Sequence, residues 1–169
     1  MAQRSNWLTI ILWVLLFYSA CTIASRHTGY NTAGATKTNA SSIRSEAVAF
    51  AKKHIGAKYK YAGRTPKGFD CSGFTCYVMK EVGVDLTPIS REQEGEGRKI
   101  EVNAVKPGDL LFFRRKKNAS VFHVALVVSN DRNGISMIHS TNTRGVVIDN
   151  LQNNSYWKSK IVTARSVLD

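Results

Sequence analysis

The chain has 169 residues, room for one domain and an appendage, with the composition of an ordinary globular protein. Its 24 Lys and Arg against 12 Asp and Glu give a formal charge of +12, a balance that favours anionic partners such as nucleic acid, membrane headgroups or an acidic polymer. The basic residues are scattered apart from Arg114-Arg115-Lys116-Lys117, which reads as a solvated loop, and with no nucleic-acid-binding signature beside them no nucleic-acid partner is expected.

Residues 1–21 form a targeting segment. A short polar start containing Arg4 leads into the apolar run Trp7 to Tyr18 and then Ser19-Ala20-Cys21. The run falls short of the roughly 20 apolar residues of a transmembrane helix and suits the core of a signal peptide. Small residues before a cysteine resemble a lipoprotein signal, in which Cys21 carries the lipid and becomes the mature N-terminus, although Tyr18 stands where such signals favour Leu. Ordinary signal cleavage and an uncleaved anchor are the alternatives. Each of the three exports the chain.

Residues 22–42 are rich in Thr, Ser, Ala, Asn and Gly, and read as a flexible tether. A folded domain over 43–169 is expected to open with a helix capped by Ser42, where Ile43, Ala47, Val48, Ala51 and Ile55 share a face and Gly56 ends it. Lys58 to Gly68 is a Gly- and aromatic-rich loop. A second helix starts around Cys71, with Cys71, Phe74, Val78 and Val82 on one face and Gly83 stopping it. Asp85 to Glu101 is polar, with a short helix near Arg91. Val105 to Asp109 turns into a strand over Leu110 to Phe113, and Phe122–Val128, Ile135–His139 and Val146–Asp149 are further strands. Helices first and an antiparallel sheet afterwards predict an α+β fold.

The three cysteines make no disulfide framework. With Cys21 taken by the signal, Cys71 and Cys76 on one helix lie about 7.5 Å apart along its axis. That exceeds the roughly 7 Å that a disulfide spans, so both are expected to be free, with Cys76 a small buried hydrophobe. Cys71 is expected at a helix N-terminus, where unpaired N–H groups and the helix dipole favour a thiolate, and Asp70 is suited to cap that helix. Burial for packing is the competing reading of Cys71. His123 opens an apolar strand and could serve as base to Cys71, with a packed core histidine as its alternative. His139 closes the next strand and could orient His123. A metal held by these residues has no local ligand pair of the usual spacing, so no metal is expected. His27 in the tether and His54 at a helix end are given no role.

Tyr59-Lys60-Tyr61-Ala62-Gly63, Gly68-Phe69-Asp70-Cys71-Ser72-Gly73-Phe74, Pro107-Gly108-Asp109-Leu110, His123-Val124-Ala125 and His139-Ser140 occur in the order found in the NlpC/P60 family. Residues 43–169 resemble its single-domain, lipid-anchored members. The resemblance implies a papain-like α+β fold, helices packed on a central antiparallel sheet, and a cysteine peptidase that cuts cell-wall stem peptides or their cross-links. It implies Cys71 as nucleophile, His123 as base and His139 as orienting residue. Tyr59 would help hold the substrate or oxyanion, while Ser72 and Arg91 match positions lining the substrate groove. Ala62 departs from the family, where a second Gly is usual. No cofactor is implied; the partners are peptidoglycan and, through Cys21, the envelope membrane, and the protein is expected as a monomer. A thiol acyltransferase or amidase on the same fold and a non-catalytic wall-binding module are the competing functions.

Overall fold

The computed structural model describes residues 32–168; the targeting segment, Cys21 and His27 lie outside them. Helix α1 spans Thr32–Lys52. It buries Ala47, Val48 and Ala51 against the core, with Ile43 and Phe50 packed alongside, which is the stripe the sequence predicts. Two boundaries differ from expectation. The helix already runs from Thr32, so residues 32–42 of the expected tether are helical. Ala33, Ala35 and Ala40 favour helix intrinsically, and a segment nucleated by the packed Ile43–Lys52 stretch extends at little cost. At its other end α1 stops at Lys52, and Ile55 is 52% exposed instead of joining the buried face.

Next come a small hairpin, β1 (Arg64–Thr65) with β2 (Gly68–Phe69), and helix α2, Cys71–Glu81. Phe74, Val78 and Met79 form the buried stripe of α2, while Cys76 is half-buried with its thiol against the Leu86 carbonyl. A single turn α3 (Ser90–Gln93), strand β3 (Arg98–Ile100) and a 3-10 turn at Val102–Ala104 lead to the main strands. These are β4 (Leu110–Arg114), β5 (Val121–Asp131), β6 (Gly134–Thr141) and β7 (Gly145–Asn150). The single turn α4 (Ser155–Lys158) precedes β8 (Ile161–Ser166).

Six strands form one antiparallel sheet in the order β3-β8-β4-β5-β6-β7, so the architecture is the α+β one expected. Alternation along the strands divides the core. Leu110, Phe112, Val124, Leu126 and Ile138 pack with the helices, whereas Leu111, Phe113, Ala125, Val127 and Met137 pack with Trp157. Strand β8, between β3 and β4, was not anticipated from the sequence.

One buried ion pair joins distant parts of this frame. Arg44 of α1 donates from Nη1 to the Asp109 carboxylate (2.7 Å) and the Pro107 carbonyl (3.0 Å), and from Nη2 to the Ser166 hydroxyl (2.7 Å). Asp109 in turn accepts from the Lys106 backbone N–H, closing the turn that feeds β4. Removing only the cation strands a buried carboxylate. Arg44→Met is therefore expected to cost about 3 kcal/mol in urea unfolding, and Arg44→Met with Asp109→Asn to recover part of it. A loss in the double variant equal to the sum of the Arg44→Met and Asp109→Asn losses would mean that the pair is uncoupled.

Candidate active site

The start of α2 is held by several independent contacts. Asp70, extended at φ −90° and ψ −179°, accepts the Gly73 N–H on its side chain at 2.7 Å, a standard N-cap. Its own N–H donates to the Gly63 carbonyl (3.0 Å). A Cβ at Gly73 would overlap that same carbonyl oxygen, so only glycine permits the approach. Ala62, just before Gly63, has φ +53°. A left-handed alanine costs about 1–2 kcal/mol, which gives the family's usual glycine at this point a physical reason. Ser140 of β6 donates to the Phe69 carbonyl at 2.7 Å and ties the sheet to the residues entering α2.

Cys71 is thus presented at the first turn of α2 into a cleft of about 440 Å³, also lined by Tyr59, His123, Trp157, Arg115 and Arg144. Burial pushes its thiol up to about 11; the backbone N–H groups of Val124, Ser72 and Cys71 itself oppose that, and the Asp70 charge adds to it. Burial thus works against the thiolate that the helix N-terminus favours.

His123 follows a bulge. Phe113 of β4 faces His123 while Arg114 faces Val121, leaving Phe122 as the extra residue. The imidazole stacks on the Trp157 indole with centroids 4.4 Å apart and planes at 26°. Trp157 is delivered by α4, whose cap Asn154 accepts the Trp157 N–H. His123 Nε2 lies 2.8 Å from His139 Nδ1, and His139 Nε2 lies 2.9 Å from Asp149 Oδ2. Burial holds His123 well below the ordinary histidine value, with His139 adding to the effect. Burial also lowers His139, against the hydrogen bond and charge of Asp149.

Tyr59 lines the cleft, its hydroxyl raised by burial and by the charges of Asp70 and Cys71. Two expected groove residues are elsewhere. The Ser72 side chain is buried, donating to the Pro88 carbonyl (3.1 Å) and to Asp70 (3.3 Å), because the helical turn points it under the loop. Arg91 on α3 lines a second groove, with Arg114 and Lys117. Sequence reasoning missed Asp149, Arg144 and Trp157 as site residues. For Asp149 a signal existed: the β6–β7 hairpin pairs His139 with Val147 and Met137 with Asp149, making His139 and Asp149 diagonal neighbours on one face. Among the described residues, no group of three or more His, Cys, Asp or Glu is gathered so as to hold a metal ion.

The lowered imidazoles set a pH dependence. Below about 6.5 an unfolded histidine takes up a proton while the buried ones in the folded chain stay neutral. The unfolded state then binds more protons, so stability falls as pH drops from about 6.5 toward the lower folded values. Thermal unfolding between about pH 7.5 and about pH 5 is expected to show a larger drop in Tm for the wild type than for His123→Gln. Equal drops would contradict a neutral buried His123.

A model of the NlpC/P60 family matches residues 56–166. The chain is 36% identical over 123 residues to the gamma-DL-glutamyl hydrolase of Bacillus subtilis, covering 71% of this chain and 29% of that protein. It is 35% identical over 136 residues to the probable endopeptidase p60 of Listeria grayi, covering 77% and 25%. To the murein DD-endopeptidase MepS/murein LD-carboxypeptidase of Escherichia coli K12 it is 32% identical over 114 residues, covering 67% and 57%. The chain therefore spans 25–57% of the length of these relatives. Among solved structures, an NlpC/P60 family protein from Bacillus cereus aligns at a TM-score of 0.69 and 31% identity, covering 75% of this chain and 40% of that one. The NlpC/p60 domain of the peptidoglycan hydrolase SagA aligns at 0.61 and 35% identity, covering 73% and 97%. With a matching sequence over most of its length and the same arrangement of helices on an antiparallel sheet, the chain belongs to the NlpC/P60 family.

Proposed function

We propose that the chain is a peptidoglycan endopeptidase that hydrolyses amide bonds of wall stem peptides, or of their cross-links, through a thioester on Cys71. The observation that carries this reading is the opening of Cys71 and His123 onto one cleft, with the buried His139 hydrogen-bonded behind His123. The names of the relatives, a glutamyl hydrolase, endopeptidases and a murein peptidase, support a wall-type amide as the substrate. Arg115 and Arg144 at the cleft suit a substrate bearing carboxylates.

In this mechanism the resting pair is a thiol and a neutral imidazole, in line with the raised Cys71 and lowered His123. His123 Nε2 is occupied by His139, so Nδ1 is the nitrogen that takes the thiol proton as Sγ attacks the carbonyl. The Cys71 backbone N–H at the helix start serves the oxyanion. The imidazolium then protonates the leaving amine, and neutral His123 deprotonates the water that opens the thioester. Tyr59 at the rim holds the substrate beside Cys71.

The reading extends to the chain's address. The sequence Ser19-Ala20-Cys21 behind an apolar run supports export and a lipid anchor on Cys21. Fatty-acid labelling in cells is expected to be lost in Cys21→Ala, and equal labelling of wild type and variant would reject the anchor.

Purified protein incubated with wall sacculi is expected to release soluble peptides, whose masses name the bond cut. Cys71→Ala should release none, and His139→Ala should act about 10²–10⁴-fold more slowly than wild type. Intact sacculi with the wild type would overturn the hydrolase reading.

A further inference from the structure

A neutral pair of hydrogen-bonded imidazoles has two proton arrangements. In one, His123 donates from Nε2 to His139 Nδ1, and His123 Nδ1 is a bare lone pair. In the other, His139 donates from Nδ1, and His123 carries its proton on Nδ1. Only the first can accept a proton from Cys71. The 2.8 Å contact between the rings is compatible with both.

The next contact outward removes the ambiguity. Asp149 Oδ2, 2.9 Å from His139 Nε2, is an acceptor that carries no proton, so Nε2 must be the protonated nitrogen of His139. His139 Nδ1 is then bare, and His123 must donate to it. We propose that Asp149 is a positioning residue of this site, which fixes the proton on both imidazoles so that His123 presents a bare Nδ1 to Cys71, while Arg144 holds the carboxylate in place. The chemistry of the proposal rests on the hydrolase reading; its geometry does not.

Arg144 grips Asp149 with both terminal nitrogens, Nη1 to Oδ1 at 3.1 Å and Nη2 to the same Oδ2 that faces His139. Burial works against ionisation of Asp149, but the hydrogen bonds from Arg144 and His139 outweigh it, and the carboxyl is held below its usual range. The arrangement is built into strands. Asp149 sits on β7 two pairs away from the His139–Val147 pair and on the same face, and the turn between the strands is closed by Arg144 N–H donating to Thr141 Oγ1 at 3.2 Å. The Arg144 side chain is about half exposed at the mouth of the cleft, whereas that of Asp149 is 12% exposed.

The test uses the full chain labelled with ¹⁵N-histidine. Long-range ¹H–¹⁵N spectra of the wild type are expected to show His123 and His139 both protonated at Nε2 and bare at Nδ1. Wild-type His123 protonated at Nδ1 would overturn the proposal without any variant. Asp149→Asn substitutes an amide that donates as readily as it accepts, so His123 is expected to populate the Nδ1-protonated form. Its kcat on muropeptides should fall roughly 10–100-fold with KM altered less than about threefold. Asp149→Glu, which keeps the carboxylate, should recover the wild-type tautomer and most of the rate. A folded Asp149→Asn with wild-type spectra and wild-type kcat would overturn the assignment. Should the wild type release no peptide, the hydrolase reading falls while the spectra still decide the role of Asp149.

Discussion

At residue 73 nothing larger than hydrogen fits, because the Gly63 carbonyl lies where a Cβ would be. That backbone-on-backbone approach lets one oxygen accept the Asp70 N–H while Asp70 caps the helix that begins at Cys71. The β1–β2 hairpin, the left-handed Ala62 and the start of α2 are therefore one unit, and Ser140 anchors it to β6. Just after α1, the Gly56 N–H donates to the Val146 carbonyl and the Val146 N–H to the Ala57 carbonyl, which ties the start of the same loop to β7. Cys71 and the two histidines are thus referred to one sheet from both ends, although 52 residues separate Cys71 from His123.

The electrostatics of the site follow from burial. Desolvation penalises the charged form of both partners, raising the Cys71 thiol and lowering the His123 imidazole. Charge is kept at the perimeter instead, on the Asp149–Arg144 pair, where solvent reaches the guanidinium.

How much of this was legible in the sequence depended on the range of the interactions involved. Helix α2 and strands β4 to β7 announce themselves through local periodicity and turn residues, and Cys71, His123 and His139 fall at their ends as expected. The first turns of α1 lack large apolar side chains, so no stripe marked them as helix. Strand β8 was unreadable because its partners β3 and β4 lie some fifty residues or more earlier in the chain, and of its three buried residues, Thr163, Ala164 and Ser166, only Ala164 is apolar. Family resemblance placed Ser72 and Arg91 in position along the chain but not in direction. Ser72 sits beside Cys71, yet one residue of helix turns its hydroxyl under the Pro88 loop.

The Trp157 stack also has an optical side. Trp157 is the only tryptophan among the described residues, and its indole face lies 4.4 Å from the imidazole of His123. Neutral imidazole is a mild neighbour to an excited indole, whereas imidazolium is an efficient quencher of its emission. The folded domain therefore carries a fluorophore stacked on a cleft histidine, and each proton that His123 gains or gives up is written into the brightness of that ring.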